Sequence, residues 1–250
     1  MRVGVVIPVY NERELLPRTL ARLDTTPPPR RPDGVVCERV VVVVDDGSSD
    51  GTAEFVGSLA GRAGCVAICA GVNRGKGAAV ARGVEAALSR GCDVVLIQDA
   101  DLEYDPADHA ALLAPILDGR ADAVIGTRFL GQTHRVLYFW HSVANRAITT
   151  FSNMLSNLNL TDIECGLKAM TAEVARRVEI TEKRFGVEPE LVAKMARLRL
   201  VEGEAGGTGR AVRVYEVPVS YAGRTYAEGK KIGWRDGVAA LWAIVRHNLL

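Results

Sequence analysis

Few cysteines, almost no net charge and no long apolar run mark this sequence, and each shortage removes a class of protein. The five cysteines, Cys37, Cys65, Cys69, Cys92 and Cys165, are an odd number with no C-x-x-C pair. That excludes a disulfide scaffold and a thiolate zinc site, and leaves reduced, buried thiols as the expectation. No stretch reaches the ~18–20 apolar residues that span a bilayer. Val136–Trp140 is broken by His141, Asn145 and Arg146, and Val238–Val245 stops at Arg246. The apolar start, ending at Pro8, is too short for a signal-peptide core, so a cytoplasmic protein is expected. With 31 Lys+Arg against 30 Asp+Glu the chain is formally +1, which argues against a nucleic-acid partner. Two phosphate-loop signatures are also missing. Only three residues separate Gly71 from Gly75 and Gly77 stands where a Walker A hydroxyl would be, and no G-x-G-x-x-G occurs.

What is present is ordinary globular material, 48% hydrophobic and 24% charged. Strands alternate with amphipathic helices. Val3–Val9 is an apolar run, after which Asn11 and Glu14 read as a helix start of the capping-box kind. The proline-rich stretch 27–32 is a loop. Val40–Val44, five valines in a row, predicts a strand buried on both faces. Cys65–Ala70, Asp93–Gln98 and Ala123–Ile125 read as further strands, Gly75–Ser89 as a helix, and Asp105-Pro106 as another helix start. Beyond residue 128 the pattern predicts a long helix over Val136–Leu158, shorter ones over Thr171–Val178 and Glu188–Leu198, a strand over Val212–Tyr221 and a final helix over Trp234–His247. The Gly-rich run Glu202–Arg210 suggests a hairpin tip. The sum is an α/β single domain, a mostly parallel twisted sheet flanked by helices.

In such a sheet ligands bind beyond the carboxyl ends of the strands. Polar clusters follow four strands: Pro8–Glu12, Asp45–Thr52, Asn73–Gly77 and Asp99-Ala100-Asp101. Residues i and i+2 of a strand share a face, so Asp99 and Asp101 form a hard oxygen site suited to Mg²⁺ or Mn²⁺ completed by substrate phosphates. The second half supplies cations: Arg128, Arg135, Arg146, Arg224, Lys230 and Lys231. The near-zero charge therefore hides a split, net −5 over residues 1–125 and +6 over 126–250. Asp45, Asp46, Asp99, Asp101 and Glu103 are expected on a cation side, the basic residues on a phosphate side.

These motifs together resemble the family-2 glycosyltransferases of GT-A fold, in particular the dolichyl- or polyprenyl-phosphate mannose synthase-like branch. The family's P-x-Y-N-E corresponds to Pro8–Glu12, D-D-G-S-x-D-G-T to Asp45–Thr52, N-x-G-K-G-x-A to Asn73–Ala79, D-A-D-L to Asp99–Leu102 and G-[ST]-R-F to Gly126–Phe129. Thr161–Glu164 with Lys168, Arg184–Glu190 and the basic stretch Tyr221–Ile232 follow in order. The segment Cys165-Gly166-Leu167 and the Gly-rich insertion depart from the pattern.

The resemblance implies residues 1–127 as a nucleotide-sugar-binding half and 128–250 as an acceptor-binding half of one continuous domain. It implies Pro8, Val9, Tyr10, Glu12, Asp46, Asn73, Lys76, Asp99, Ala100, Arg224, Lys230 and Lys231 as donor-binding, and Asp99, Asp101 and Glu103 as holding Mg²⁺ or Mn²⁺. Asp99, Asp101 and Arg224 would be catalytic, and Arg128, Arg135, Asp162 and Glu164 would face the acceptor. The reaction it implies is inverting transfer of a hexose from a nucleotide sugar, of GDP-mannose or UDP-glucose type, to a polyprenyl phosphate at the inner face of the cell membrane. A phosphate acceptor is already ionised and needs no general base, whereas an alcohol would. The aromatic-rich stretch 136–151 and the last helix are candidates for membrane-surface contact; a core-packed helix is the other reading of that stretch. The same chemistry on a soluble acceptor is the alternative. Nucleotidyl transfer lacks its Gly-rich N-terminal signature, a pseudoenzyme is disfavoured by Asp99, Asp101 and Arg224, and a processive synthase by Val136 after Gln132-x-x-Arg135.

Overall fold

A computed structural model describes residues 1–131, 135, 138–201, 209–225 and 234–250, with only the backbone of 234 and 235. In chain order the elements are β1 (Arg2–Val9), α1 (Leu15–Thr25), β2 (Glu38–Asp45), α2 (Thr52–Ser58), β3 (Cys65–Cys69), α3 (Lys76–Ser89), β4 (Val94–Ile97), α4 (His109–Leu117) and β5 (Ala123–Thr127). There follow α5 (Phe139–Ser156), β6 (Lys168–Thr171), α6 (Ala172–Arg177), α7 (Val187–Arg197), β7 (Arg199–Leu200), β8 (Arg210–Ala211), β9 (Val214–Pro218) and α8 (Trp234–Leu249).

Among the described residues seven strands form one sheet in the order β3-β2-β1-β4-β6-β5-β9. All its pairings are parallel except those of β6, which runs antiparallel to both β4 and β5. The valine run of β2 behaves as its composition dictates: Val42, Val43 and Val44 are fully buried, with Val42 and Val44 facing one hydrophobic cluster and Val43 the other. Two cores thus flank one sheet, each side chain contributing about 1.5–3 kcal/mol relative to exposure.

Four expectations change in detail. Asn11 does not start α1: it takes a left-handed backbone (φ 51°), its amide donates to Ser48 Oγ at 2.9 Å, and its side chain accepts from the Ser49 amide at 2.9 Å. It ties the end of β1 to the 45–52 turn, and α1 begins four residues later, at Leu15. The long helix is confined to Phe139–Ser156 and the strand near 212–221 to Val214–Pro218. The antiparallel β6 escaped the pattern because its first residue is a lysine. Lys168 is 1% exposed, and its ammonium donates to the carbonyls of Ile163 and Cys165. Finally, all five cysteines are free, but only Cys37, Cys92 and Cys165 are buried; Cys69 is exposed on the outer strand β3. Around the Gly-rich insertion, β7 and β8 do pair antiparallel; residues 202–208 of the expected tip lie outside the described residues.

Burial also creates an acid-sensitive point. His109 at the head of α4 is 2% exposed and hydrogen-bonded to the Gln98 side chain, and burial, with a further push from Arg39, lowers its pKa to about 3. Its folded value lies below the ordinary 6.5, so the native state holds it neutral. The stability this gives is complete above about pH 6.5 and is lost towards pH 3, at about 1.4 kcal/mol per pH unit. Urea midpoints measured between pH 7 and 4.5 are expected to fall in the native protein and to fall less in His109→Gln.

Candidate active site

The sheet's change of direction brings distant segments to one edge. Because β6 pairs antiparallel with Ile97 opposite Lys168 and Ile125 opposite Lys168, the loop before β6 joins the ends of β4 and β5. The exits of β1 and β2 lie on the same edge. A cleft of about 1210 Å³ opens there. Of the residues expected at a site, Pro8, Val9, Tyr10, Glu12, Asp46, Asn73, Lys76, Asp99, Ala100, Asp101, Glu103, Arg128, Arg135, Glu164 and Arg224 all line it. Asp162 does not. Lys230 and Lys231 lie outside the described residues.

At one end the carboxylates are paired with two cations. Lys76, leading α3, reaches Asp99 at 2.7 Å and Glu188 at 2.6 Å. Burial alone would lower its pKa, but the two carboxylates outweigh that and raise it. The position is made possible by Gly75 and Gly77, where a Cβ would come within 2.3 Å and 2.0 Å of the carbonyls of Lys183 and Glu182. Arg224 lies among three carboxylates: Asp101 at 3.1 Å, Glu12 at 3.4 Å and Glu103 at 3.6 Å. Even so, the Asp101 carboxyl is pushed up to about 7, by burial first and then by the charges of Asp99 and Glu103. The charge there is under-compensated.

Glu103 is engaged from the side. It accepts from Tyr221 Oη at 3.0 Å and from the Arg224 amide at 2.8 Å, and its carbonyl receives the Ala222 amide. Tyr221 also stacks on Tyr104 with centroids 5.5 Å apart, and its carbonyl accepts the Arg135 amide. Glu103 thereby anchors the strap that delivers Arg224. The two aspartates after β2 act within the backbone. Asp45 is fully buried and accepts the amides of Gly47 and Ser48, and Asp46 accepts those of Arg74 and Gly75. Neither forms part of the carboxylate group around Arg224, so the acidic side is smaller than the charge count suggests.

At the other end Arg128 is clamped by Asp162 through two bonds of 2.6 and 2.7 Å, assisted by Asn145, and lies 5.1 Å from the Tyr221 ring centroid. Asp162 is wholly buried: it orients the arginine and is closed to the cleft. Glu164 sits between the two ends. Its carboxyl is raised to about 7 by burial and then by Glu188, with Lys168 and Arg128 opposing. Glu188, Asn145, Tyr104 and Tyr221 also belong to the site, and no local sequence signal marks them, because each acts through a partner distant in the chain: Lys76, Arg128, Tyr221 and Glu103 respectively.

The cleft wall continues onto α5 and α8, which pack on each other and contribute Phe139, Ser142, Ile148, Val238 and Leu241 to it. Outside the cleft the same helices expose apolar side chains, Trp140 75%, Met154 75% and Trp242 57%, and Phe139 of the cleft wall is itself 69% exposed. The aromatic start of α5 is therefore surface, and only its inner face, Thr149 and Ser152, is buried. Among the described residues no helix is long and apolar enough to cross a membrane, and no three His, Cys, Asp or Glu side chains are grouped as metal ligands.

Residues 4–178 match the model of glycosyl transferase family 2. An undecaprenyl-phosphate mannosyltransferase of Micrococcus luteus is 31% identical over 100% of this chain and 99% of that protein. A polyprenol monophosphomannose synthase of Mycolicibacterium smegmatis is 32% identical over 72% of this chain and 65% of its own. Among solved structures, glucosyl-3-phosphoglycerate synthase from Mycobacterium tuberculosis, in complex with Mn²⁺, UDP and phosphoglyceric acid, superposes with a TM-score of 0.68. That match has 18% identity and covers 100% of this chain and 79% of the other; it shows a shared GT-A-type α/β fold.

Proposed function

The chain belongs to glycosyl transferase family 2 and is a glycosyltransferase, and from that premise we propose that it moves a hexose from a nucleotide sugar to a polyprenyl phosphate, inverting the anomeric carbon. One observation carries this reading: the cleft joins a carboxylate end to an arginine end, and the arginine end opens beside an exposed aromatic face. The relatives' names, which specify polyprenyl-phosphate mannosyl transfer, support it.

A divalent cation fits the carboxylate end. Asp101, its carboxyl raised to about 7 by burial and then by Asp99 and Glu103, stands in a group of carboxylates that shares the single cation Arg224 among the contacts described. Mg²⁺ and Mn²⁺ sites of this kind take one or two carboxylates and complete themselves with substrate phosphates. Asp101, with Asp99, would hold the ion, and Glu103 would hold the strap. Bound there, the ion supplies charge neutralisation for the departing nucleoside diphosphate. The chain's own residues do the rest. Arg224 is positioned to exchange its carboxylate contacts for phosphate oxygens, and Lys76 keeps Asp99 oriented. Pro8, Val9, Tyr10 and Asn73 wall the donor end. Arg128, fixed by Asp162, and Arg135 hold the acceptor phosphate, which attacks without losing a proton.

The exposed faces of α5 and α8 are the surface that meets the membrane's inner face. Phe139, Trp140 and Trp242 enter the interfacial layer, and α5 carries no acidic residue to oppose anionic headgroups. Incubating the protein with Mg²⁺ or Mn²⁺, a panel of nucleotide sugars and a short polyprenyl phosphate is expected to yield a lipid-linked hexose. Transfer only to a soluble alcohol would reject the acceptor assignment. Replacing Trp140 and Trp242, which do not line the cleft, together by serine is expected to lower binding to anionic vesicles about tenfold or more, with turnover on a water-soluble short-chain acceptor retained.

A further inference from the structure

Two carboxylate oxygens on the cleft wall, Glu164 Oε1 and Glu188 Oε2, are sealed from solvent and have no hydrogen-bond partner among the described residues. Sealed acceptors in native proteins are nearly always satisfied, so an unsatisfied pair facing one cleft calls for a ligand. The basic groups nearby are committed elsewhere. Lys168 donates to the carbonyls of Ile163 and Cys165, Arg128 to Asp162 and Asn145, and Lys76 takes only the other oxygen of Glu188.

The position of Glu164 narrows what the ligand is. Two residues before it, Asp162 fixes Arg128 at the arginine end; two residues after it, Gly166 lies against Asp99 at the carboxylate end. Glu164 therefore stands between the leaving diphosphate and the incoming phosphate. At pH 8, above the value of about 7 to which burial raises Glu164, its carboxylate is ionised and accepts hydrogen bonds only, so the missing partner must donate. Phosphates at that pH offer no donor and are repelled by carboxylates. A hexose offers a row of hydroxyl donors.

We propose that Glu164 is a specificity-determining residue that receives a hydroxyl of the transferred hexose, beside Glu188, and selects among epimeric donors. It deepens the glycosyl-transfer reading above and rests on it. A site built around a substrate hydroxyl rejects ligands that misplace it, because its own polar atoms are then left unpaired.

The test is calorimetric titration of the whole chain, wild type and Glu164→Gln, with Mg²⁺ or Mn²⁺. The probes are GDP and UDP alone, then GDP-mannose, GDP-glucose, UDP-glucose and UDP-galactose. The expected result is a change of less than about twofold for the nucleoside diphosphates and a loss of about tenfold for the preferred nucleotide hexose. The ratio between that hexose and its epimer should shrink towards one, an effect a merely structural role does not produce. Glu164→Ala, with its melting temperature checked, should reproduce the change. Retention of the epimer ratio in Glu164→Gln overturns the proposal. So does an equal loss for diphosphate and nucleotide hexose, or a loss of kcat with donor affinity and ratio unchanged, which would make Glu164 a base for an alcohol acceptor. A wild type that binds nucleotide hexoses but makes no lipid-linked product rejects the acceptor assignment and leaves the Glu164 result standing. A wild type that binds none of the probes overturns both readings.

Discussion

Alanine at position 101 is expected to cut turnover about 1000-fold or more while leaving the fold as stable as before, or slightly more so. The two halves of that result come from the same cause. Asp101 is a buried carboxyl raised to about 7 by burial and by Asp99 and Glu103. Its folded value lies above the ordinary 3.8, so ionisation opposes folding, and stability is lost as pH rises from about 4 through 7. At pH 8 the native site carries an ionised group that it repels and that only a cation makes tolerable. Removing it relieves the repulsion; Arg224 gives up one partner at 3.1 Å and keeps Glu12 and Glu103. Each kcal/mol so gained moves the melting temperature of a chain this size by about 2–4 °C. Steady-state turnover with the accepted nucleotide sugar, measured beside the melting temperature at pH 8, checks it. A fall in both would make Asp101 a structural residue and reject its role at the diphosphate.

How much of this was legible beforehand depends on whether a signal is local. The four polar clusters could be read as one edge because each follows an apolar run, and in a parallel sheet such runs all end on the same side. Fifteen of the expected site residues do line one cleft, and ten of them come from those four clusters. The valines of β2 declared a doubly buried strand. What failed was pairing. Asp45 and Asp46 read as charges, but both carboxylates are occupied by backbone amides of the turns they organise. Asn11 read as a cap, but its partners Ser48 and Ser49 lie nearly forty residues away. Lys168 hid β6, since a lysine at the head of a four-residue strand contradicts the pattern unless carbonyls are known to wait for it. The motifs place Arg128 and Asp162 together on the acceptor side, yet only the arginine faces the cleft; the aspartate aims it. Glu188 was unreadable for the same reason: its importance lies in Lys76, more than a hundred residues upstream.

The odd segment Cys165-Gly166-Leu167 shows what such long-range contacts imply for mutation. Gly166→Ala is expected to lower kcat/KM about 100-fold or more, at a stability cost of about 1–3 kcal/mol. The backbone there is not left-handed, so an alanine meets no conformational penalty. The obstacle is contact: a Cβ would stand 2.1 Å from Asp99 Oδ2 and 3.1 Å from the Tyr104 ring. Asp99 cannot swing aside freely, because its other oxygen is held by Lys76 at 2.7 Å, and Lys76 is held in turn by Glu188. Tyr104 is equally fixed, its hydroxyl accepting the Gly166 amide at 3.0 Å and its ring packed on Tyr221. The new methyl therefore displaces the carboxylate at the donor end, and with it the lysine that leads α3. If the damage passes through Asp99, the effects of Gly166→Ala and Asp99→Asn on kcat/KM will not add: the double variant should be little worse than the poorer single one. Additive losses would place the injury in the general packing beneath the cleft, and activity within about threefold of wild type would show that the contact yields without disturbing Asp99.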